Sequence, residues 1–161
     1  MKTLMFAAAA AVVSVAAIPA VSQAQEVYGT IGYGAVDIED DADLGAIQGR
    51  VGYKFNPYVA VEGEVAFGVK DDADIELKHQ VGAFVVGSAP ITPQASVFAR
   101  VGYSGATLDT PLGEVDGDGV AYGVGGQYDF TPKDGVRVDW TRHDYDGADA
   151  DVLSVSYARK F

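Results

Sequence analysis

In the stretch AIQGRVGYKF, residues 46–55, apolar and polar residues alternate with a period of two. One face carries Ile47, Gly49, Val51, Tyr53 and Phe55, and the opposite face carries Gln48, Arg50, Gly52 and Lys54. Successive side chains point to opposite faces in a β-strand, whereas a helix repeats about every 3.6 residues. The stretch therefore predicts a strand with one apolar and one polar face.

The same alternation continues to the end of the chain and divides it into segments. These cover about 26–37, 45–55, 59–69, 75–87, 95–105, 119–130, 136–143 and 151–161. Most approach the roughly 9–11 residues with which a tilted strand crosses a bilayer, and an even number suits antiparallel closure. We predict an all-β fold, an eight-stranded antiparallel transmembrane β-barrel. The register of the fourth segment stays open, because Phe84 and Val86 would fall on its polar face.

The connections between segments are of two kinds. Three are short and contain proline, at 56–58, 88–94 and 131–135. The other four, near 38–44, 70–74, 106–118 and 144–150, are longer or more polar, and all are acidic. Short periplasmic turns and larger extracellular loops are typical of outer-membrane barrels. We expect the acidic loops to be extracellular.

The aromatic residues distinguish a membrane barrel from a soluble barrel of the lipocalin kind. One group falls towards the loop end and the other towards the short-turn end: Tyr33, Phe67, Tyr103, Tyr122 and Trp140, then Phe55, Tyr128, Phe130, Tyr157 and Phe161. Aromatic rings prefer the two membrane–water interfaces, whereas a soluble core has no reason to sort them by height. The pattern favours an apolar face in lipid and a polar face inside.

The polar face would then line a narrow lumen. The charged residues of this face that we assign to the lumen are Arg50, Lys54, Arg100 and Arg137, and Glu62, Glu64, Asp129 and Asp139. An eight-stranded barrel is only wide enough for its own side chains, and buried charges are tolerated when they are paired. We predict a structural lumen network of ion pairs that plugs the barrel.

Residues 1–24 have the pattern of a secretory signal peptide. Lys2 precedes an apolar stretch, and small residues at Ser22 and Ala24 suit cleavage before Gln25. An uncleaved membrane anchor is the alternative, since the apolar stretch is nearly long enough to span a bilayer. We therefore divide the chain into a signal peptide, 1–24, and a barrel domain, 25–161.

The composition excludes two further classes. A net charge of −12 is a poor match for nucleic acid or for an anionic lipid surface. The absence of cysteine excludes a disulfide framework, so stability has to come from packing or from the bilayer.

Two stretches resemble the small OmpA/OmpX-like outer-membrane barrels, also described as outer membrane protein beta-barrel domain or porin-family proteins. They are GRVGYKFNP, residues 49–57, with Val61-Glu62-Gly63-Glu64 following, and LSVSYARKF, residues 153–161. The resemblance implies a location in the outer membrane, in contact with its lipid. It also implies that Tyr157 and Phe161 form a signal for the barrel-assembly machinery, although Arg159 replaces the apolar residue often found third from the end. We expect a monomer.

The residues capable of chemistry form no recognisable constellation. His79 and His143 are the two histidines, and the sequence assigns neither a nucleophile nor an acid, so we predict no catalysis and no cofactor. Asp144, Asp146, Asp149 and Asp151 offer oxygen ligands for weak divalent-cation binding. Val155 stands where an EF-hand needs glutamate, and a solvated anionic surface explains the acidic run better.

These observations favour a structural or surface role, in envelope integrity or surface interaction. A narrow or gated ion pore is the main alternative. A loop-mediated adhesin or receptor and a lipid-modifying enzyme are further alternatives.

Overall fold

The structure is a computed structural model that describes residues 26–38, 42–70, 76–146 and 148–161. The predicted signal peptide lies outside these residues. Eight strands follow one another: β1 (Glu26–Ile38), β2 (Ala42–Lys54), β3 (Val59–Lys70), β4 (Glu76–Pro90), β5 (Ala95–Thr110), β6 (Gly113–Asp129), β7 (Asp134–Tyr145) and β8 (Ala148–Lys160). Within these ranges no helix has the length and apolar character needed to cross a membrane.

Each strand pairs antiparallel with the next, and β8 pairs with β1 to close the barrel. At the seam Tyr33 lies opposite Val155 and Tyr28 lies opposite Lys160. Closure leaves no strand edge along the body of the barrel, as a bilayer requires of a β-structure. The predicted eight-stranded antiparallel barrel is confirmed.

The largest difference from prediction concerns residues 106–118, which the sequence analysis assigned to a loop. They form the far half of a β-hairpin in which β5 and β6 pair up to Thr110 and Gly113. Gly113 has a φ of 118°, a left-handed conformation that glycine adopts without steric cost. Because β7 pairs with β6 only from Gly119 onwards, residues 113–118 of β6 extend beyond the end of β7. We call residues 106–118 the extended hairpin.

Apolar side chains cover the outside of the barrel and charged side chains lie inside. Phe67 is 55% exposed, whereas Glu62 and Glu64 are each 3% exposed. The aromatic residues predicted to form two girdles are all on the outer surface. This inside-out arrangement fits a barrel whose outer surface meets lipid.

The strand whose register was open, β4, keeps its alternation. Phe84 and Val86 point into the lumen, and Val81 and Val85 point outward. The register shifts between Leu77 and His79, near the loop end of the strand. The apolar inward residues of β4 therefore belong to the lumen and do not mark an error in register.

Candidate functional site

Six charged side chains from four strands meet at mid-height in the lumen, and we call them the lumen network. They are Arg50 on β2, Glu62 and Glu64 on β3, Arg100 on β5, and Arg137 and Asp139 on β7. Each is buried to at least 97%. Three guanidinium groups face three carboxylates, so the lumen network has no net charge.

Arg50 connects opposite walls of the barrel. Its Nε donates to Glu64 at 2.6 Å, and its two terminal nitrogens donate to the two carboxylate oxygens of Asp139 at 2.7 and 3.0 Å. A guanidinium matches a carboxylate with two parallel hydrogen bonds, which fixes orientation as well as distance. Arg50 therefore holds β2, β3 and β7 at a set separation.

The other two arginines complete the lumen network. Arg137 donates to both oxygens of Glu62 at 2.6 and 3.3 Å, and Arg100 donates to Glu64 at 2.8 Å. The Tyr28 hydroxyl on β1 also donates to Glu62, at 2.5 Å. Glu62 and Glu64 thus each accept bonds from at least two other strands, which satisfies these buried charges.

Two inward phenylalanines support the arginines. The Arg100 guanidinium carbon lies 3.6 Å from the centre of the Phe84 ring, and that of Arg137 lies 3.9 Å from the Phe98 ring. Such cation–π contacts strengthen when water is excluded. The roles of Tyr28, Phe84 and Phe98 could not be predicted, because alternation shows only which face a residue occupies and not what it contacts there.

Lys54 and Asp129 do not join the lumen network. Lys54 lies 3.4 Å from Glu26, and Asp129 lies 2.6 Å from Lys160. Both pairs sit at the short-turn end and are partly exposed, with side-chain exposures from 19 to 34%. They are inward-facing, but they lie too close to the strand ends to reach the arginines at mid-height.

Apolar residues fill the lumen on both sides of the lumen network. An upper cluster at the loop end contains Val36, Leu44, Ala46, Ala66, Leu77, Ala150 and Val152. A lower cluster, towards the short-turn end, contains Tyr28, Ala60, Val86 and Phe98. An ion entering from the loop end would therefore meet an apolar layer before it reached the lumen network.

His143 has a partner that the sequence could not assign. Its Nδ1 lies 2.8 Å from the Ser104 hydroxyl, and its ring stacks on Tyr145 with centroids 5.6 Å apart. Ser104 and His143 are each 1% exposed, so they are covered in this structure. His79 lies on the exposed outer surface.

The acidic run near the last loop does not assemble a metal site in the structure. Arg142 donates to Asp149 at 2.7 Å and to Asp151 at 3.0 Å, which compensates those two carboxylates. Asp144 and Asp146 are exposed. In the part of the chain that the structure describes, no three histidine, aspartate or glutamate side chains are grouped to hold a metal ion.

The two residues expected to form an assembly signal lie on the outer surface at the short-turn end. The Tyr157 hydroxyl donates to Asp134, which also accepts a bond from Arg159 at 2.9 Å. Phe161 is 76% exposed, and its backbone N–H donates to Val27 at 2.9 Å. Arg159 is therefore paired with an acid of the neighbouring strand.

Several solved barrels from outer-membrane proteins, and a designed transmembrane barrel, share this fold. The N-terminal β-barrel domain of OprF from Pseudomonas aeruginosa has a TM-score of 0.67 at 14% identity, covering 86% of this chain and 100% of that one. Ail, the attachment invasion locus protein of Yersinia pestis, was solved with the heparin analogue sucrose octasulfate. Its TM-score is 0.62 at 18% identity, and the match covers 86% of this chain and 99% of Ail. OprG of Pseudomonas aeruginosa has a TM-score of 0.59 at 12% identity, and the match covers 86% of this chain and 96% of OprG.

At these identities the likeness is one of fold. No curated protein matches the chain in sequence. The model of the outer membrane protein beta-barrel domain family, however, matches residues 5–161. With its closed eight-stranded barrel and apolar outer surface, the chain is an outer-membrane protein and belongs to the outer membrane protein beta-barrel domain family.

Proposed function

We propose that this protein is a non-conducting barrel with a structural and surface role in the outer membrane. The observation that carries the proposal is the lumen network, which joins opposite walls with six buried, mutually compensated charges. The barrel acts as a monomer, with its short turns towards the periplasm and its acidic loops outside.

Closure of the lumen follows from its three layers. A permeating ion would have to lose its hydration shell in the upper cluster, break bidentate ion pairs, and cross the lower cluster. Each step is costly in a medium of low dielectric constant. The barrel therefore stabilises itself with its lumen rather than using the lumen for transport.

Conductance of the purified barrel in a planar bilayer distinguishes a non-conducting barrel from a narrow or gated pore. We expect the wild-type protein to give no steady current. Asp139→Asn should give transient openings, because it weakens the bond that ties Arg50 to the far wall. Steady ohmic conductance of the wild-type protein would contradict our proposal and favour the pore.

The surface role is supported by the extended hairpin. It carries Glu114, Asp116 and Asp118 beyond the end of β7, and Lys78 pairs with Glu114. Ail was solved with a sulfated sugar analogue, but this acidic surface would repel a polyanion. We therefore expect a cationic or neutral partner. Binding to whole cells before and after removal of the extended hairpin tests whether the surface interacts with a partner at all.

We propose no reaction for Ser104 and His143. Their hydrogen bond resembles the first link of a catalytic dyad, but both side chains are covered, and Tyr145 stacks on the histidine. A substrate carbonyl could not approach the serine without opening the barrel. We assign the pair to packing, and unchanged lipid composition in cells that express Ser104→Ala would agree with this.

The last strand is proposed as the assembly signal for the barrel-assembly machinery. Phe161→Ala should lower the amount of barrel in the outer membrane severalfold without changing refolding of the purified protein in detergent. Phe130→Ala is the matched control, because Phe130 is also exposed at the short-turn end. Equal losses from the two variants would mean that Phe161 acts only as one more interfacial aromatic residue.

A further inference from the structure

A small cavity lies at the short-turn end of the lumen, next to the lower cluster. Its volume is about 20 Å³, and the polar side chains lining it include Lys54, Arg137, Lys160, Ser88, Ser96 and Gln127. Three of these are cations. No carboxylate of the described residues is among the lining side chains, although the chain as a whole carries a net charge of −12.

The cations keep hydrogen-bonding capacity for a ligand. Lys54 lies 3.4 Å from Glu26 and Lys160 lies 2.6 Å from Asp129, yet each ammonium group has three N–H donors. Both carboxylate partners stand outside the cavity lining. Ser88 and Ser96 add two hydroxyl groups that can donate to an acceptor at the same place.

The inner wall of the cavity is rigid and its mouth is adaptable. Arg137 closes the inner side, held by Glu62 and stacked on Phe98. Lys54 and Lys160 lie nearer the open end, with side-chain exposures of 27% and 19%. Because each of the three cations already has a carboxylate partner, the cavity would hold an anion through their remaining N–H donors and not through a net positive charge, which favours an anion of modest size.

The volume limits what can enter. About 10–15 Å³ is enough for one water molecule, so this space admits one or two oxygen atoms and excludes a sugar or a nucleobase. We propose that the cavity is an anion-binding site that receives one or two oxygen atoms of a carboxylate or phosphate group, while the rest of the ligand stays outside the short-turn end. Given the orientation proposed above, such a ligand approaches from the periplasm. The site is independent of whether the lumen conducts.

Nuclear magnetic resonance of the full barrel in lipid nanodiscs tests the site. Acetate and inorganic phosphate are titrated separately, with sodium chloride adjusted to hold the ionic strength constant. We expect saturable shifts of the backbone amides of Ser88, Ser96 and Gln127 with at least one of the two anions. The preferred anion assigns the ligand group as carboxylate or phosphate.

Variants distinguish a specific binding site from non-specific electrostatic attraction. Lys54→Met and Lys160→Met should each weaken binding about tenfold, as expected for the loss of a charge-assisted hydrogen bond. Lys133→Met is the matched control, an exposed lysine at the same end that does not line the cavity, and it should bind as the wild type does. Ser96→Ala keeps every charge and should weaken binding severalfold, so it tests the site even if a lysine variant fails to fold. The proposal would be overturned if the shifts did not saturate, or if Lys133→Met lowered the affinity as much as Lys54→Met and Lys160→Met do.

Discussion

At the scale of single residues, the stability of the barrel depends on charges that cannot be removed one at a time. Glu62 accepts bonds from Arg137 and Tyr28, and Arg100 lies 3.7 Å away. Glu62→Ala would leave a buried guanidinium without its main partner, which typically costs about 3–5 kcal/mol. We expect that loss in urea unfolding from lipid vesicles.

Glu114→Ala is the control for this prediction. Glu114 has a side-chain exposure of 61%, and it pairs with Lys78 on the surface, where ion pairs contribute little. Equal unfolding midpoints for the two variants would show that the inward charges are not energetically coupled. Asp41, an acidic residue of the first predicted loop that could also serve as a control, lies outside the described residues.

Two neighbouring glycines give a second prediction. A Cβ at Gly125 would stand 2.5 Å from the Phe98 ring, whereas a Cβ at Gly126 would have Ser96 O as its nearest atom, at 3.7 Å. Gly125→Ala should therefore destabilise the barrel by about 1–3 kcal/mol through overpacking. It should also disturb the stacking of Phe98 on Arg137.

Gly126→Ala should be neutral or slightly stabilising, because alanine restricts the unfolded chain. Thermal unfolding in the same detergent compares the two variants. If both behave alike, the ring of Phe98 does not occupy the space that Gly125 leaves.

The sequence predicted which side chains face the lumen, but it could not predict how they pair. Arg50 and Asp139 are 89 residues apart and meet only because the closed barrel brings β2 opposite β7. The pairing of Arg50 with Glu64 across neighbouring strands is local and follows from the strand register. The position of Phe84 on the polar face was unexpected. Alternation alone does not show that the Arg100 guanidinium packs against the Phe84 ring.

At the scale of elements, the β6 half of the extended hairpin, residues 113–118, extends beyond β7, whereas its β5 half pairs with β4 as far as Asp109. The two strands of the hairpin are tied by their own backbone ladder and by side-chain bonds such as Thr107 to Asp116, at 2.8 Å. Its β6 half, residues 113–118, has Val115 as its single large apolar residue, so no hydrophobic alternation marked it as strand in the sequence. Its strand character comes from pairing across a turn.

We predict that the hairpin can be shortened without loss of the fold. Replacing residues 107–116 by a two-residue Asn-Gly turn removes no pair between β6 and β7, because that ladder begins at Gly119. It does remove the last three pairs between β5 and β4, those of Thr107, Leu108 and Asp109. The shortened protein should still fold, with a free energy of unfolding lowered by about 1–3 kcal/mol, because Leu108 no longer packs against the upper cluster. A variant that no longer folds would show that the hairpin contributes to barrel closure.

At the scale of the whole molecule, the closed ladder predicts resistance to detergent. An unheated sample should migrate differently from a boiled one on a denaturing gel, because sodium dodecyl sulfate finds no open edge from which to unpair the strands. Far-ultraviolet circular dichroism of the unheated sample should show β-structure. Identical mobility before and after boiling would contradict closure between β1 and β8.

The reach of Arg50 and Arg137 across the lumen also bears on the order of folding. Their partners, Asp139 and Glu62, are 89 and 75 residues away, so these bonds cannot form until β7 has joined the sheet. A barrel with only its first strands inserted would expose unpaired charges to hydrocarbon, which is among the most expensive arrangements in a membrane. Partly inserted intermediates should therefore be scarce, and insertion and ring closure should occur together as one cooperative step late in folding.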